Sequence, residues 1–380
     1  MEKVCGLDVH KDSIFACILD EKGEKFFEQR YNTLTPILLS LRDKLVEVGC
    51  GRVAMESTSI YWMPVWHVLE DDFALTLANP YFIKQMPGRK TDAKDAQWIA
   101  ECLWKKSINS SFVAGDLLQQ MRQYSRQYRR LTKHRVRVEQ QIDNQLQRCN
   151  IRFSNYVSNQ GKNVSMRKII KAIIGGERNP TKLCKLVHGR TRNKHGDQTI
   201  TDSLCGIIQQ SDVNILIQCM EQLNLLEQQQ DACLTHLEEL AAANFAKEIS
   251  LLCTIPGVQK LSAMCIIAEI GNDMAVFQKA THLVGWAGLK PRNDTTSERV
   301  RNRKILHGNK YLRQMLVEIS WAAVRSNKTF LGRKFNILSK RMKSQKALIA
   351  VTRKILVIIY NVLKTKQPFD TKRNLQAIIA

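Results

Sequence analysis

Apolar and polar positions along the chain follow one rhythm up to about Leu103 and a different one beyond it. Val4 to Asp8, Ile14 to Leu19 and Lys25 to Tyr31 are short apolar-rich runs separated by polar turns at His10 to Ser13 and Asp20 to Gly23, a pattern that predicts a hairpin meander opening a mixed sheet. Ile37, Leu38, Leu41, Leu45 and Val48 fall at helical spacing, and Arg52 to Glu56 reads as the next strand. Ser57, Thr58 and Ser59 offer N-caps to a helix carrying Tyr61, Trp62, Val65 and Trp66. Leu75 to Ala78 is one more strand, stopped by Asn79-Pro80, and Trp98, Ile99 and Leu103 give helical spacing to a segment whose first turn holds Asp92 and Asp95. The predicted order is therefore β-β-β-α-β-α-β-α, an α/β arrangement.

From Leu117 the period changes. Leu117, Met121, Tyr124, Tyr128, Leu131, Val138, Ile142 and Leu146 alternate by three and four with Arg135 in the seam, and Leu216, Cys219, Leu223, Leu226, Cys233, Leu237 and Leu240 repeat the pattern. Two long coiled-coil helices are expected, pairing within one chain or, as the Gln228 to Gln230 run favours, between copies. The polar stretch between them reads as an insertion of short helices. Ile249 to Ile270 predicts a helix-hairpin-helix-like segment around Ile255-Pro256-Gly257-Val258, where Gln259 stands in place of a second glycine. Phosphate binding and packing both remain open for that turn. Further helices, burying Trp321, Phe330, Phe335, Leu348, Ile355 and Ile358, complete a mostly helical C-terminal region. The expected division is 1–112, 113–243 with the insertion at 150–212, and 244–380.

Charge narrows the class of partner. The 380 residues carry a formal net charge of +23 with a pI near 9.7, which favours a polyanion, and nucleic acid is the commonest one. The alternative, a membrane surface, finds little support: the longest apolar candidate, Ala347 to Leu363, is interrupted by Arg353 and Lys354, and no signal-peptide pattern is present. A cytoplasmic location is expected. The eleven cysteines show no CxxC and no paired Cys/His spacing, so they read as small buried hydrophobes in a reducing compartment.

Two stretches carry candidate chemistry. Asp8 and Glu56 each end an apolar strand, where a carboxylate is costly to bury unless paired or metal-bound. Asp92 and Asp95 share one face of a helix start, with Lys84, Arg89, Lys90 and Lys94 around them. First-turn acids complement a helix dipole, and the same acids suit a hard cation bridging to phosphate. In open α/β sheets such strand ends lie together at one edge. The second stretch, Pro291 to Arg303, places Thr295, Thr296 and Ser297 on a loop among Arg292, Arg299, Arg301 and Arg303, as attack by a hydroxyl on a phosphodiester would require. Candidate phosphate contacts continue with Arg126, Arg129, Arg130 and Lys133 on the first long helix, then Lys310, Arg313, Arg333, Lys334, Lys340 and Arg341. No acid occurs between Glu318 and Asp370.

GLDVHK, AMESTSIYW and NPYFIKQMPGRKTDAKDAQWIAE, in that order, together resemble the RuvC-like (RNase H-like) domain of the DEDD transposases, insertion-sequence recombinases guided by a bridge RNA. The resemblance implies that Asp8, Glu56, Asp92 and Asp95 are the family's acidic tetrad and hold Mg²⁺. GLKP followed by a hydroxyl cluster and HGNKYLR is similar to the family's C-terminal domain, in which a serine attacks DNA and holds the strand covalently. The family's serine position falls on Thr296 here, with Ser297 one residue later, and either is a candidate nucleophile. Target and donor DNA, a structured guide RNA and homo-oligomerisation are implied as well. A RuvC-type nuclease using water, and a DNA-binding protein whose acids are structural, are the alternatives.

Overall fold

The computed structural model describes residues 2–57, 59–79, 92–108, 110–157, 163–291, 294–296, 299–302, 305 and 308–370. They form two compact units, 1–113 and 114–380. In the first, β1 (Lys3–Val9), β2 (Ile14–Leu19), β3 (Lys25–Tyr31), β4 (Cys50–Glu56) and β5 (Ala74–Ala78) make a five-stranded sheet in the order β3-β2-β1-β4-β5. β1 runs antiparallel to β2 and parallel to β4, and β5 is parallel to β4. α1 (Thr35–Glu47) and α2 (Trp62–Leu69) cover one face, burying Leu38, Leu41, Leu45, Val65 and Leu69 on Leu7, Val53 and Met55. α3 (Asp92–Trp104) covers the other, setting Ala96, Ile99, Ala100 and Leu103 against Val4, Cys17, Leu19 and Ala54. The element order is the one the hydrophobic pattern predicts.

Side chains alternate across a strand, so Cys5, Leu7 and Val9 point to the α1/α2 side, whereas Val4, Gly6 and Asp8 point to α3. Gly6 has a specific task there. A Cβ on it would overlap the carbonyl oxygen of Ala96 and the amide nitrogen of Ala100, so the α3 backbone lies directly on β1.

In the second unit, α4 (Asp116–Arg148) pairs with a later long helix. Between the two lie α5 (Val164–Ile174), α6 (Pro180–Lys185), α7 (Gly189–His195) and α8 (Asp197–Ser203), and then comes α9 (Gln210–Cys253). Gln145 donates to Asp212 at 2.6 Å, Gln230 donates to Thr132 at 2.7 Å, and the Tyr124 and His236 rings lie 5.2 Å apart, so α4 and α9 run antiparallel. This corrects the expectation of pairing between copies: the two heptad seams close on each other within one chain. Seam residue Arg135 is neutralised by Glu139 at 3.3 Å and Glu227 at 4.0 Å. The insertion shares the same core, with Ile169, Ile170, Ile173, Leu183 and Ile200 packed together with Leu146, Leu216 and Leu223.

α10 (Lys260–Ile270) follows the turn at Ile255 to Val258, as expected. The turn docks on α12 (Lys310–Val324), because a Cβ on Gly257 would stand 2.6 Å from the carbonyl oxygen of Ile319. Of the two readings left open for this turn, packing is the one the contacts favour. α11 (Ala280–Trp286) leads to a stretch the sequence presents as a loop. It is instead a two-stranded hairpin of β6 (Asp294–Thr296) and β7 (Arg299–Asn302), closed by a bridge between Pro291 and Ile305. α13 (Phe330–Ser339) and α14 (Ser344–Thr365) finish the unit. Leu348, Ile355 and Ile358 are buried as expected, but Trp321 is 46% exposed. No helix among the described residues is long and apolar enough to cross a membrane.

A buried polar knot holds this unit. Glu269, 2% exposed, accepts two hydrogen bonds from Arg126 at 2.9 and 2.8 Å and one from Asn309 at 2.6 Å. Arg122 donates to the carbonyls of Ala268 and Glu269 at 2.9 and 2.6 Å. Burial pushes the Arg122 guanidinium down to about 10, with Glu269 working in the opposite direction, so it stays charged at neutral pH. Asn309 in turn caps α12 by accepting from the amides of Tyr311 and Leu312.

Two substitutions check these contacts. Gly6→Ala forces α3 off β1 and is expected to destabilise the protein by about 1–3 kcal/mol, read as a lowered urea midpoint. Glu269→Ala leaves two arginines facing a buried hole and should cost about 3–5 kcal/mol by the same measurement.

Candidate active site

Asp8 lies near the end of β1 on the face that α3 covers, and its side chain is 11% exposed. The register Gly6↔Ala54 and Leu7↔Met55 carries Glu56, the last residue of β4, into the neighbouring row of the same face. Asp95, half-buried, stands on the α3 turn that begins with Asp92. The three described carboxylates feel one another: burial first, and then the charges of Asp95 and Glu56, push the Asp8 carboxyl up to about 6, against the opposing influence of His10. Three elements distant in sequence, β1, β4 and α3, thus bring Asp8, Glu56 and Asp95 to one end of the sheet. Asp92 opens the same helix one turn earlier, and only its backbone is described.

His10 adds a group that the spacing of the acids does not point to. Its Nε2 lies 3.0 Å from Asp8 Oδ2, and its ring meets Phe15 edge-on at 6.4 Å. The signal was its position two residues past Asp8, just beyond the strand end. Being 46% exposed at the side chain, His10 can reach solvent or substrate while touching the carboxylate.

Of the hydroxyl candidates, Thr296 ends β6 and pairs in register with Arg299; Arg301 follows on β7. Ser297, Arg292, Arg303, Arg89 and Lys90 lie outside the described residues. Among the expected phosphate contacts, two are engaged internally: Arg126 by Glu269, and Arg129, which donates to Glu318 at 2.6 Å. Arg130, Lys133, Lys310, Arg333, Lys340 and Arg341 are exposed, and Arg313 is half-buried. Lys334, also half-buried, faces Lys354, whose ammonium is pushed down to about 8 by burial and then by Lys334.

A strongly basic chain with carboxylates gathered at one end of a mixed sheet has the make-up of a nucleic-acid-processing enzyme. Comparison with known proteins defines the kind. Residues 5–151 match the DEDD transposase family of the IS110 type, and residues 249–333 match the transposase family IS116/IS110/IS902. The pilin gene-inverting protein of Moraxella lacunata is 23% identical over 389 residues, covering 97% of each chain. Its counterpart in Moraxella bovis is 23% identical over the same coverage. The transposase for insertion sequence element IS1111A of Coxiella burnetii is 23% identical over 387 residues, covering 97% of this chain and 91% of that one. The two family matches together span most of the chain and fall in both units. The chain belongs to the IS110 family of transposases, which are enzymes of DNA recombination.

The carboxylate cluster makes a pH prediction for cation-free protein. An aspartate raised from 3.8 to about 6 binds a proton more tightly folded than unfolded, so its contribution to stability falls as pH rises through that window and stays unfavourable above it. Asp8→Asn removes that penalty. Thermal melts in the presence of a chelator should show the variant equal to or above the parent at neutral pH, with the gap closing toward pH 4.

Proposed function

We propose that the chain cuts and rejoins DNA through a covalent protein–DNA intermediate, using a RuvC-like acidic site for divalent cation and a hydroxyl from the C-terminal hairpin region as nucleophile. The observation that carries this reading is the convergence of Asp8, Glu56 and Asp95 on one sheet end in a chain matched to transposases in both units. The donor set suits a hard cation: carboxylate oxygens without thiols, partly buried, with the Asp8 carboxyl pushed up to about 6 by burial first and by the charges of Asp95 and Glu56 after it. Asp8, Glu56, Asp92 and Asp95 would hold Mg²⁺, which when bound supplies charge stabilisation at phosphoryl oxygens.

The oxygen of Ser297 or Thr296 attacks phosphorus, the bond to the 3′ oxygen breaks, and the strand leaves with a 3′ hydroxyl while its phosphate stays on the protein. Attack by a 3′ hydroxyl reverses the step and joins strands, so no external energy source is needed. Arg299 and Arg301, on the strand paired with Thr296, would offset charge on the phosphoryl oxygens. Exposed cations of α12 to α14 track the phosphate backbone without reading sequence. A structured guide RNA would read target and donor by base pairing while the protein, as a homo-oligomer in the cytoplasm, holds shape and backbone.

The test is a trapping assay on a denaturing gel with adduct mass spectrometry. Asp95→Asn and removal of Mg²⁺ by chelation should each cut strand cleavage by about a hundredfold or more, the loss expected for several kcal/mol of transition-state stabilisation. DNA binding should survive both. Protein-linked DNA should map to Ser297 or Thr296, and Ser297→Ala or Thr296→Val identifies which; cleavage without linked DNA assigns the reaction to water instead.

A further inference from the structure

The C-terminal helices expose an aromatic surface where a purely electrostatic one would suffice. Trp321 on α12 is 46% exposed, and its ring meets that of half-buried Phe335 on α13 at 6.0 Å and 66°. Ile337, 57% exposed, lies on the same helix as Phe335. An exposed tryptophan held on edge by a second ring is a rigid shelf, since Phe335 limits the rotamers it can adopt.

The surroundings state what the shelf would meet. Arg325 follows Trp321 by one helical turn, Arg333 and Lys334 precede Phe335, and Lys354 stands beside Lys334. No acid occurs in the sequence from Ile319 to Phe369; the nearest upstream, Glu318, is held by Arg129 at 2.6 Å. With the exposed Glu318 paired to Arg129 and the other charges here cationic, the face favours a polyanion over a second copy of the same basic chain, because like charges oppose that contact. Phosphates alone would need the cations and not the ring. A ring that stays exposed among cations suits a strand whose bases are unpaired, with the phosphates on the cations and a base face on the indole.

We propose that Trp321, backed by Phe335, is a stacking platform for an unpaired base of a single-stranded nucleic-acid segment whose backbone lies on the cations of α12 to α14. The proposal depends on the reading of these helices as a phosphate-tracking surface and deepens it by naming the strand state. It is independent of the acidic site and of any chemistry there.

Full-length protein in chelator at one fixed salt concentration would be titrated against labelled oligothymidylate, oligouridylate and a duplex of equal length, with anisotropy as readout. Trp321→Ala should weaken binding of single strands by roughly fivefold to a hundredfold, the span of one lost stack, and leave duplex binding within twofold. Trp321→Phe should keep most of the affinity, and Trp321→Leu, which preserves apolar cover without a π face, should not. Loss on the thymidylate arm assigns the platform to DNA, loss on the uridylate arm to RNA, and loss on both to either strand. Unchanged single-strand affinity in Trp321→Ala and Trp321→Leu overturns the proposal, as does an equal loss on duplex. A change in oligomeric state with unchanged affinity overturns it too and assigns the ring to contact between copies. Because no divalent cation is present, failure here leaves the cleavage assay untouched, and failure of cleavage leaves this result standing.

Discussion

The seating of α3 on β1 is the contact on which the acidic site depends. Asp8 and Glu56 belong to adjacent parallel strands and would neighbour each other in any case, but Asp95 joins them only because the α3 backbone reaches the strand at Gly6. The burial of Asp8, with Asp95 and Glu56 adding to its cost, opposes that seating. What offsets it is apolar burial two turns along, where Ile99 and Leu103 sit on Val4, Cys17, Leu19 and Ala54. A fully buried aliphatic side chain is worth about 1.5–3 kcal/mol, so a few such contacts outweigh the electrostatic cost of one raised aspartate. The first unit therefore holds Asp8 in a position that costs stability, and the packing of α3 on the sheet is what sustains it.

A second contact does comparable service in the helical unit. Glu269 links α4, α10 and the start of α12 through Arg126 and Asn309, and the amide of Asn309 donates to the carbonyl of Trp286 at 3.0 Å. Trp286 ends the helix before the hairpin and Asn309 caps the one after it, so the two flanking helices meet beside the same buried carboxylate.

Much of this was legible from the chain. The strands and helices of the first unit follow from period-two and period-3.6 spacing, and three of the four acids fall together as their positions at element ends imply. The remainder was hidden for definite reasons. Gly6 looks like any strand glycine until the helix that touches it is placed. His10 reads as turn punctuation, because a partner two residues back on a strand end leaves no periodic trace. The hairpin was masked by its arginines, since DTT and RVRN alternate too briefly to outweigh their polarity. Heptads describe a seam without saying which chain closes it. Trp321 occupies a helical position that hydrophobicity assigns inward, and only the packing of α13 shows its ring turned out.

The same distinction between local pattern and tertiary partner governs the charge. A formal net charge of +23 suggests a uniformly basic surface, yet several arginines of the helical unit are paired with acids inside it. Arg122 and Arg126 meet Glu269, Arg129 meets Glu318, and Arg135 and Arg167 converge on Glu227. Guanidinium suits that work, being planar, forked and weakly hydrated, so it can be buried against a carboxylate with several hydrogen bonds. Between Arg325 and Lys354 the sequence carries no acid, and four lysines stand exposed there beside four arginines. A compact, strongly hydrated ammonium on a flexible stem is poor at internal clamping and good at following a polyphosphate whose groups are regularly spaced. The net charge is thus not a property of the whole surface. It is concentrated in the stretch from Ile319 to Phe369, whose sequence carries no acid.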